Sequence, residues 1–159
     1  MKEIQLSQGK TALVDDADFE YLNQWRWSAY KSGKTFYAHR KVRINGKNRM
    51  ISMHRLILGL TNRKLFCDHQ NGNGLDNRRE NIRIATPSQN QSNKDAMPKS
   101  TSKFMGVSFR KDTQKWQAAI SYYGNNIHLG TFVNEVDAAR RYNQAAIKVH
   151  REFARLNQV

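Results

Sequence analysis

The sequence predicts an α+β protein built from small antiparallel sheets and short helices. Short runs of alternating apolar residues are separated by tight-turn signals, of which Asn45-Gly46 is the strongest because this pair favours a two-residue hairpin. A helix signal lies at Thr86-Pro87-Ser88-Gln89, which combines a capping residue, a first-turn proline and a capping box. Residues 134–150 repeat apolar side chains at helical spacing. The 159 residues allow one ordinary domain or two small ones.

The first part of the chain is predicted to hold a short helix, three strands and a second helix. Asp15 and Asp16 are typical N-cap residues and indicate a helix that ends near Asn23. The apolar run at residues 53–60 indicates a buried helix. The strands between these two helices are predicted at residues 26–30, 35–42 and 49–52. The core of this region is predicted to consist of Trp25, Trp27, Tyr30 and Tyr37, and the alternative is that these aromatic residues contact a binding partner.

The middle of the chain is predicted to form two strands and a helix, followed by a linker. A strand at residues 65–69 and a second at 81–85 flank a loop that is rich in glycine and asparagine, and the helix begins at Thr86. Residues 91–102 are polar, contain a proline and show no periodicity, which is typical of a linker. The predicted domains are therefore residues 1–94 and 103–159, joined by a linker at 95–102.

Beyond the linker, the pattern predicts a three-stranded antiparallel sheet packed on one C-terminal helix. The strands are expected at residues 104–110, 115–122 and 127–132, and polar turns join them. Apolar residues alternate along these strands and form one face that can be buried against the helix at 134–150. Small alanines on that helix allow it to lie close to the sheet.

The charge of the chain points to a polyanionic partner. Lysine and arginine number 27 against 13 aspartates and glutamates, a formal net charge of +14. The basic excess is present both before and after Asp95, so it is not confined to a tail. Because such an excess destabilises a compact chain through self-repulsion unless it is neutralised, nucleic acid is favoured over a merely soluble basic surface.

The composition also excludes several classes of protein. No apolar run is long enough to span a bilayer, and residues 1–10 lack the apolar stretch of a signal peptide. The single Cys67 excludes a disulfide framework and a zinc site of paired Cys-x-x-Cys ligands. We therefore expect a soluble protein of a reducing compartment, with no membrane contact, no small-molecule substrate and no structural zinc.

The predicted strand–loop–strand–helix segment carries a spaced set of polar residues. Asp68-His69 ends the first strand, Asn81 opens the second, and Asn90 falls in the first turn of the helix. With Met53-His54-Arg55 upstream, this pattern resembles the HNH nucleases, specifically the His-Asn-Asn variant found in phage and intron homing endonucleases. The resemblance spans about residues 53–93. It implies a ββα-metal nuclease core at about 65–94, in which two strands and a helix surround one metal.

The resemblance assigns a role to each residue of this set. Asp68 and Asn90 would hold one Mg²⁺ or Mn²⁺ in each active site, and His69 would be the general base that activates water. Asn81 would orient the His69 ring, and Arg83 could contact the scissile phosphate. An imidazole suits the base role because its ordinary pKa is about 6.5. The implied function is cleavage or nicking of double-stranded DNA by hydrolysis of phosphodiester bonds.

His54, Arg55 and Cys67 lie in or beside the same segment and have more than one possible role. His54 and Arg55 recur in the resembling family, but their chemistry does not separate a structural role from a DNA contact, and a structural role is favoured for His54. Cys67 is expected to be an inert core thiol. The alternative function is a non-catalytic DNA-binding regulator that uses the nuclease fold as a scaffold. The family's usual setting implies a phage or mobile-element protein in a bacterial cytoplasm.

The C-terminal part carries a second set of motifs. Phe104-Met105-Gly106-Val107, Lys115-Trp116-Gln117-Ala118 and Leu129-Gly130-Thr131-Phe132 fall on the three predicted strands. Together they resemble the plant ethylene-response-factor (Apetala-two) DNA-binding domain. The resemblance implies that the polar face of the sheet docks on double-stranded DNA, where arginine can pair with guanine and glutamine with adenine. The predicted DNA contacts on this face are Ser108, Arg110, Lys115, Gln117, Ser121, Asn126 and His128.

Overall fold

The computed structural model describes residues 1–92 and 101–159, which divide into two compact units, Met1–Pro87 and Ser88–Val159. The predicted α+β class is confirmed, because the described residues form four small antiparallel sheets and a C-terminal helix. Residues 95–100 of the predicted linker lie outside the described residues. None of the described helices is long and apolar enough to cross a bilayer.

The elements of the first unit are β1 (Lys2–Gln5), β2 (Thr11–Val14), α1 (Asp16–Leu22), β3 (Ser28–Ser32), β4 (Thr35–Ile44), β5 (Lys47–Ser52), α2 (Met53–Ile57), β6 (Phe66–His69) and β7 (Ile82–Ala85), with α3 (Pro87–Ser92) at the boundary between the units.

The core of the first unit is gathered from several sheets and helices. Val14, Leu22, Ala38 and Met53 are fully buried, and they come from β2, α1, β4 and α2. Trp27 lies in this core as predicted, and its indole N–H donates to the Leu22 carbonyl at 2.8 Å. Burying an indole is tolerated because its one donor is satisfied in this way.

The prediction that Tyr30 belongs to this core is wrong. Its side chain is 54% exposed, whereas its neighbour Ala29 is buried. Successive residues of a strand point to opposite faces, so the burial of Ala29 on β3 turns Tyr30 outwards. Tyr37, by contrast, is half-buried and lies against the rings of His54 and His69.

A hairpin at the N-terminus was not predicted from the sequence. Strands β1 and β2 pair in antiparallel register and contribute Ile4 and Val14 to the core. Leu13 of β2 also forms hydrogen bonds with the loop between β6 and β7. Its N–H donates to the Leu75 carbonyl at 2.9 Å, and its own carbonyl accepts from the Asn77 N–H at 2.8 Å. The N-terminal strand therefore fixes a loop more than sixty residues further along the chain.

The longest strands of the first unit are β4 and β5. The predicted Asn45-Gly46 turn joins them, and both residues have the positive φ that such a turn requires (49° and 74°). Both strands are longer than predicted because pairing continues up to the turn, where Ile44 faces Lys47. Strands β6 and β7 form a separate two-stranded ladder in which Asp68 faces Arg83 and His69 faces Ile82.

The second unit contains β8 (Val107–Arg110), β9 (Lys115–Tyr122), β10 (Asn125–Phe132) and α4 (Glu135–His150). Its sheet has the order β10–β9–β8, and α4 covers the apolar face through Ala138, Ala139 and Ala146, which are fully buried. A bulge occurs in β10 between His128 and Gly130. Ile127 is one of the alternating apolar residues that were expected on the buried face, but it is 41% exposed, although its partner Ile120 is buried.

The second unit also includes the end of the predicted linker. Ser102 is buried, its hydroxyl donates to Glu135 at 2.6 Å, and it accepts from the Phe104 N–H at 2.9 Å. The Thr101 hydroxyl accepts from the N–H of Phe109 at 2.8 Å. These two residues therefore pack as part of the sheet-and-helix unit.

Candidate active site and metal centre

His69 occupies the last position of β6 and is almost fully buried, with 5% exposure. The chain turns immediately after it, as the Gly72 N–H donates to the His69 carbonyl at 2.9 Å. Its ring packs edge-on against Tyr37 at 5.6 Å and against His54 at 5.2 Å, measured between ring centroids. The rings of Tyr37 and His54 thus hold the predicted general base in a buried position.

The surroundings of His69 keep its imidazole neutral at neutral pH. Burial lowers its pKa, because desolvation disfavours the charged ring. The Asn77 side chain, and then the charges of Asp68 and Asp76, act in the opposite direction without overcoming burial. A neutral imidazole can accept a proton, which is the state that a general base requires.

Asp68 precedes His69 and forms an ion pair across the β6–β7 ladder. It is 4% exposed, and its Oδ2 accepts a hydrogen bond from Nε of Arg83 at 2.8 Å and forms an ion pair with Nη2 of the same residue at 2.8 Å. The two residues are direct cross-strand partners, so their side chains lie on the same face. Arg83, predicted to contact phosphate, is therefore engaged with the predicted metal ligand.

The Asp68 carboxylate fits a hard divalent cation as well as an arginine. An ionised carboxylate has two oxygens with about four acceptor positions in all. Mg²⁺ and Mn²⁺ favour such oxygen donors. The arginine also supplies the positive charge that a buried carboxylate needs when no cation is bound.

Asn81 organises the loop that leads from His69 to β7. Its side-chain N–H donates to the Asp76 carbonyl at 2.7 Å, and its side-chain oxygen accepts from the Asn71 N–H at 3.0 Å. Its backbone carbonyl accepts from the Gln70 N–H at 2.9 Å. The Asn77 side chain, which is fully buried, contacts His69. Asn81 thus shapes the loop, and Asn77, which is one of the residues that match the HNH family, is a site residue to which the resemblance assigned no role.

The carboxylate of Asp76 stabilises the same loop by accepting hydrogen bonds from two of its residues. It is 2% exposed and accepts from Nε and Nη2 of Arg78, both at 2.8 Å, and from the Asn71 amide at 2.9 Å. The Arg78 guanidinium holds the pKa of the Asp76 carboxyl below its ordinary value, with burial acting in the other direction. The negative charge of Asp76 is therefore maintained near His69.

The other predicted residues lie on helices α2 and α3. Asn90 is half-buried on α3, which begins at the last residue of the first unit. Arg55 donates to the carbonyls of Leu65 and Asn62 at 2.9 and 2.8 Å, and so holds the chain that leads into β6. His54 is 9% exposed, and its burial, followed by the nearby charges, lowers its pKa to about 3.

The predicted base also belongs to a group of three possible metal ligands. One ligand atom each from His54, Cys67 and His69 lies within 4.8 Å of the others. Burial, aided by Asp68, raises the pKa of the Cys67 thiol to about 12, so this thiol is protonated as expected for a core cysteine. Cys67 and His69 share one strand face because they are two residues apart, a signal present in the sequence. The approach of His54 is a tertiary contact with no local signal.

In the second unit, the predicted DNA contacts pair across the polar side of the sheet. Ser108 faces Gln117, Arg110 faces Lys115, and Ser121 faces Asn126. Gln117 and His128 lie side by side, with 3.1 Å between Nε2 and Nδ1. Most of these side chains are exposed, and Gln117 is half-buried. Arg110 also contacts Asp112 on the surface.

Comparison with known proteins adds one relative. No family model and no solved structure matches the chain. The chain is 29% identical over 155 residues to an uncharacterized HNH endonuclease of Acanthamoeba polyphaga mimivirus, and the alignment covers 96% of this chain and 77% of that protein. This similarity supports an HNH nuclease. The resemblance of the second unit to the ethylene-response-factor domain has no support in these comparisons and stays a prediction.

Proposed function

We propose that the protein is a metal-dependent HNH endonuclease of the homing type, which nicks or cleaves double-stranded DNA. The observation that carries the proposal is the buried, neutral His69 at the end of β6, directly after the carboxylate of Asp68. The similarity to an HNH endonuclease extends over nearly the whole chain and is consistent with this chemistry.

Each residue has a distinct part in the proposed hydrolysis. His69 takes a proton from the attacking water, and the aromatic rings around it exclude other solvent. Asp68, with Asn90 as the second ligand inferred from sequence, would hold one Mg²⁺ or Mn²⁺, which would relieve the negative charge on phosphate and leaving oxygen. Arg83 positions Asp68 through their ion pair. Asn81 acts as a positioning residue through the loop.

The charge of the first unit favours DNA as the substrate. No aspartate or glutamate occurs between Glu20 and Asp68. The β4–β5 hairpin within this stretch exposes Lys41, Arg43, Lys47 and Arg49. A basic antiparallel ribbon can neutralise backbone phosphates and is narrow enough to enter a major groove. The nuclease unit therefore has its own surface for DNA, in addition to the second unit.

Supercoiled plasmid provides the direct test of the proposed activity. The purified full chain, freed of metal with a chelator, is expected to leave the plasmid supercoiled. Added Mg²⁺ or Mn²⁺ is expected to convert it to nicked circles or linear DNA, which agarose electrophoresis resolves. If neither ion supports cleavage while DNA binding is intact, the endonuclease is excluded and the alternative of a DNA-binding regulator is favoured.

We further propose that the second unit selects the DNA site through the polar face of its sheet. Replacement of Arg110 and Lys115 by glutamine is expected to weaken DNA binding and to reduce the slope of log K against log salt by about 1.8, since each neutralised phosphate contributes about 0.9. Fluorescence anisotropy with a labelled duplex at several salt concentrations measures both effects.

The matched control for this experiment replaces Arg140 and Lys148 by glutamine. This pair removes the same charges from α4, which covers the opposite face of the sheet, and Arg140 contacts a surface aspartate as Arg110 does. The control is expected to retain the salt slope of the unmodified protein. Equal losses in the two variants would mean that total charge, and not the polar face, determines binding.

A further inference from the structure

The described residues contain one set of nitrogen and sulfur donors that the proposed reaction does not use together. His54 lies at the start of α2, and Cys67 and His69 lie on β6. Their ligand atoms are all within 4.8 Å of one another. Ordinary Zn–N and Zn–S bond lengths place tetrahedral ligand atoms about 3.5 Å apart, so closure around an ion requires movements of about 1 Å.

A second observation concerns the state of His54. This residue is 9% exposed, and within the described part of the chain its buried Nδ1 has no hydrogen-bond partner. A buried nitrogen that makes no hydrogen bond costs free energy, and a metal ion would supply the missing interaction. His39 is the nearest other imidazole, but its Nδ1 faces the Ser52 hydroxyl at 3.4 Å.

We propose that His54, Cys67 and His69 form a binding site for a thiophilic divalent cation such as Zn²⁺, and that occupancy of this site inhibits the nuclease. Two imidazoles and a thiolate favour Zn²⁺ over Mg²⁺ or Mn²⁺, which prefer oxygen donors. Three protein ligands leave the fourth tetrahedral position for water. Binding converts the Cys67 thiol to a thiolate and releases its proton to solvent, so affinity rises with pH.

The inhibitory part of this inference rests on the proposed function of His69. A ring nitrogen that is bound to Zn²⁺ cannot accept a proton from water, so the metal and the attacking water compete for the same imidazole. The two ions thus have opposite effects: the hard cation at Asp68 supports cleavage, and the soft cation at the thiol prevents it. The binding part depends on the three side chains alone and can be measured without any substrate.

Binding is tested first with metal-free full-length protein. Competition with a chromophoric chelator is expected to show one Zn²⁺ bound per chain. Co²⁺, which occupies zinc sites, is expected to give the near-ultraviolet charge-transfer absorption that a thiolate ligand produces. The Cys67→Ser variant is expected to lose this absorption and to bind Zn²⁺ more weakly by over about 100-fold, since even outer-shell partners contribute about 10–100-fold.

The control and the activity measurement separate the two parts of the inference. His150→Gln removes a histidine from α4 and is expected to bind Zn²⁺ like the unmodified chain. Zn²⁺ added to a Mg²⁺- or Mn²⁺-supported plasmid reaction is expected to inhibit at the concentration that fills the site, and the Cys67→Ser variant is expected to resist this inhibition.

Absence of the Co²⁺–thiolate absorption in the unmodified protein overturns the site, whatever the variants do. Binding without inhibition of an active enzyme overturns only the inhibitory role. Binding by a chain that cleaves no DNA leaves the metal site intact and rejects the nuclease.

Discussion

His69→Ala is expected to lower the rate of metal-supported plasmid nicking by about 10²–10⁴-fold, the usual contribution of a general base. The reason is that the buried, neutral ring at the end of β6 is the group that we propose takes the proton from the attacking water. Single-turnover nicking at saturating protein measures the chemical step without interference from product release. Affinity for the same plasmid is expected to change little, because the ring is almost fully buried.

The control for this experiment is His150→Ala, which removes a partly exposed histidine of the second unit. It is expected to nick at the rate of the unmodified protein, and circular dichroism is expected to give the same spectrum for both variants. A His69→Ala enzyme that retains full activity would exclude His69 as the base, whereas a loss shared with His150→Ala would indicate a general effect of substitution.

Gly106→Ala is expected to destabilise the second unit by about 2–5 kcal/mol. Gly106 has a φ of +70°, which costs other residues about 1–2 kcal/mol. An added Cβ would also overlap the Tyr142 ring and lie 2.6 Å from the Ala119 backbone oxygen. Overpacking of this kind costs about 1–3 kcal/mol. The Ala119 N–H donates to the Gly106 carbonyl at 2.8 Å, so movement of Gly106 away from the overlap disturbs that bond as well.

Gly124→Ala separates the conformational cost from the steric cost. Gly124 has a φ of +79°, but no atom lies within 4 Å of an added Cβ, so this variant is expected to lose only about 1–2 kcal/mol. Hydrogen exchange measured by mass spectrometry is expected to show loss of protection in β8–β10 of Gly106→Ala, with the first unit unchanged. Equal destabilisation by the two variants would show that contact with Tyr142 and Ala119 is not limiting.

Local patterns in the sequence predicted most of the elements around the site. The Asn45-Gly46 turn, the strands on each side of the β6–β7 loop and the Pro87 helix start all follow from short-range rules, and the structure contains each of them. The N-terminal hairpin was missed because its strands have four residues each and their connection carries no standard turn pair. Periodicity is weak evidence over so few positions.

The tertiary neighbours of His69 could not be read from the sequence. Tyr37, His54 and Asn77 reach the ring from three separate elements, and no spacing rule connects them to residue 69. The ion pair of Asp68 with Arg83 was easier to predict from the sequence. Two antiparallel strands joined by a loop place opposite residues in contact, so the pair follows once the register is known. The register itself depends on the length of the loop, which the sequence does not define closely.

The bonds between Leu13 and the β6–β7 loop also bear on what counts as the minimal catalytic fragment. A peptide limited to residues 65–94 would contain His69, Asn81 and Asn90, but it would lack the strand that closes Leu75 and Asn77 in place. In that excised peptide, the loop that carries Asn77 and Asn81 would be free to sample many conformations. The His69 ring would then lose its fixed orientation. The smallest autonomous catalyst in this chain is therefore expected to begin at its first strand, even though the residues proposed to perform the chemistry are clustered far downstream.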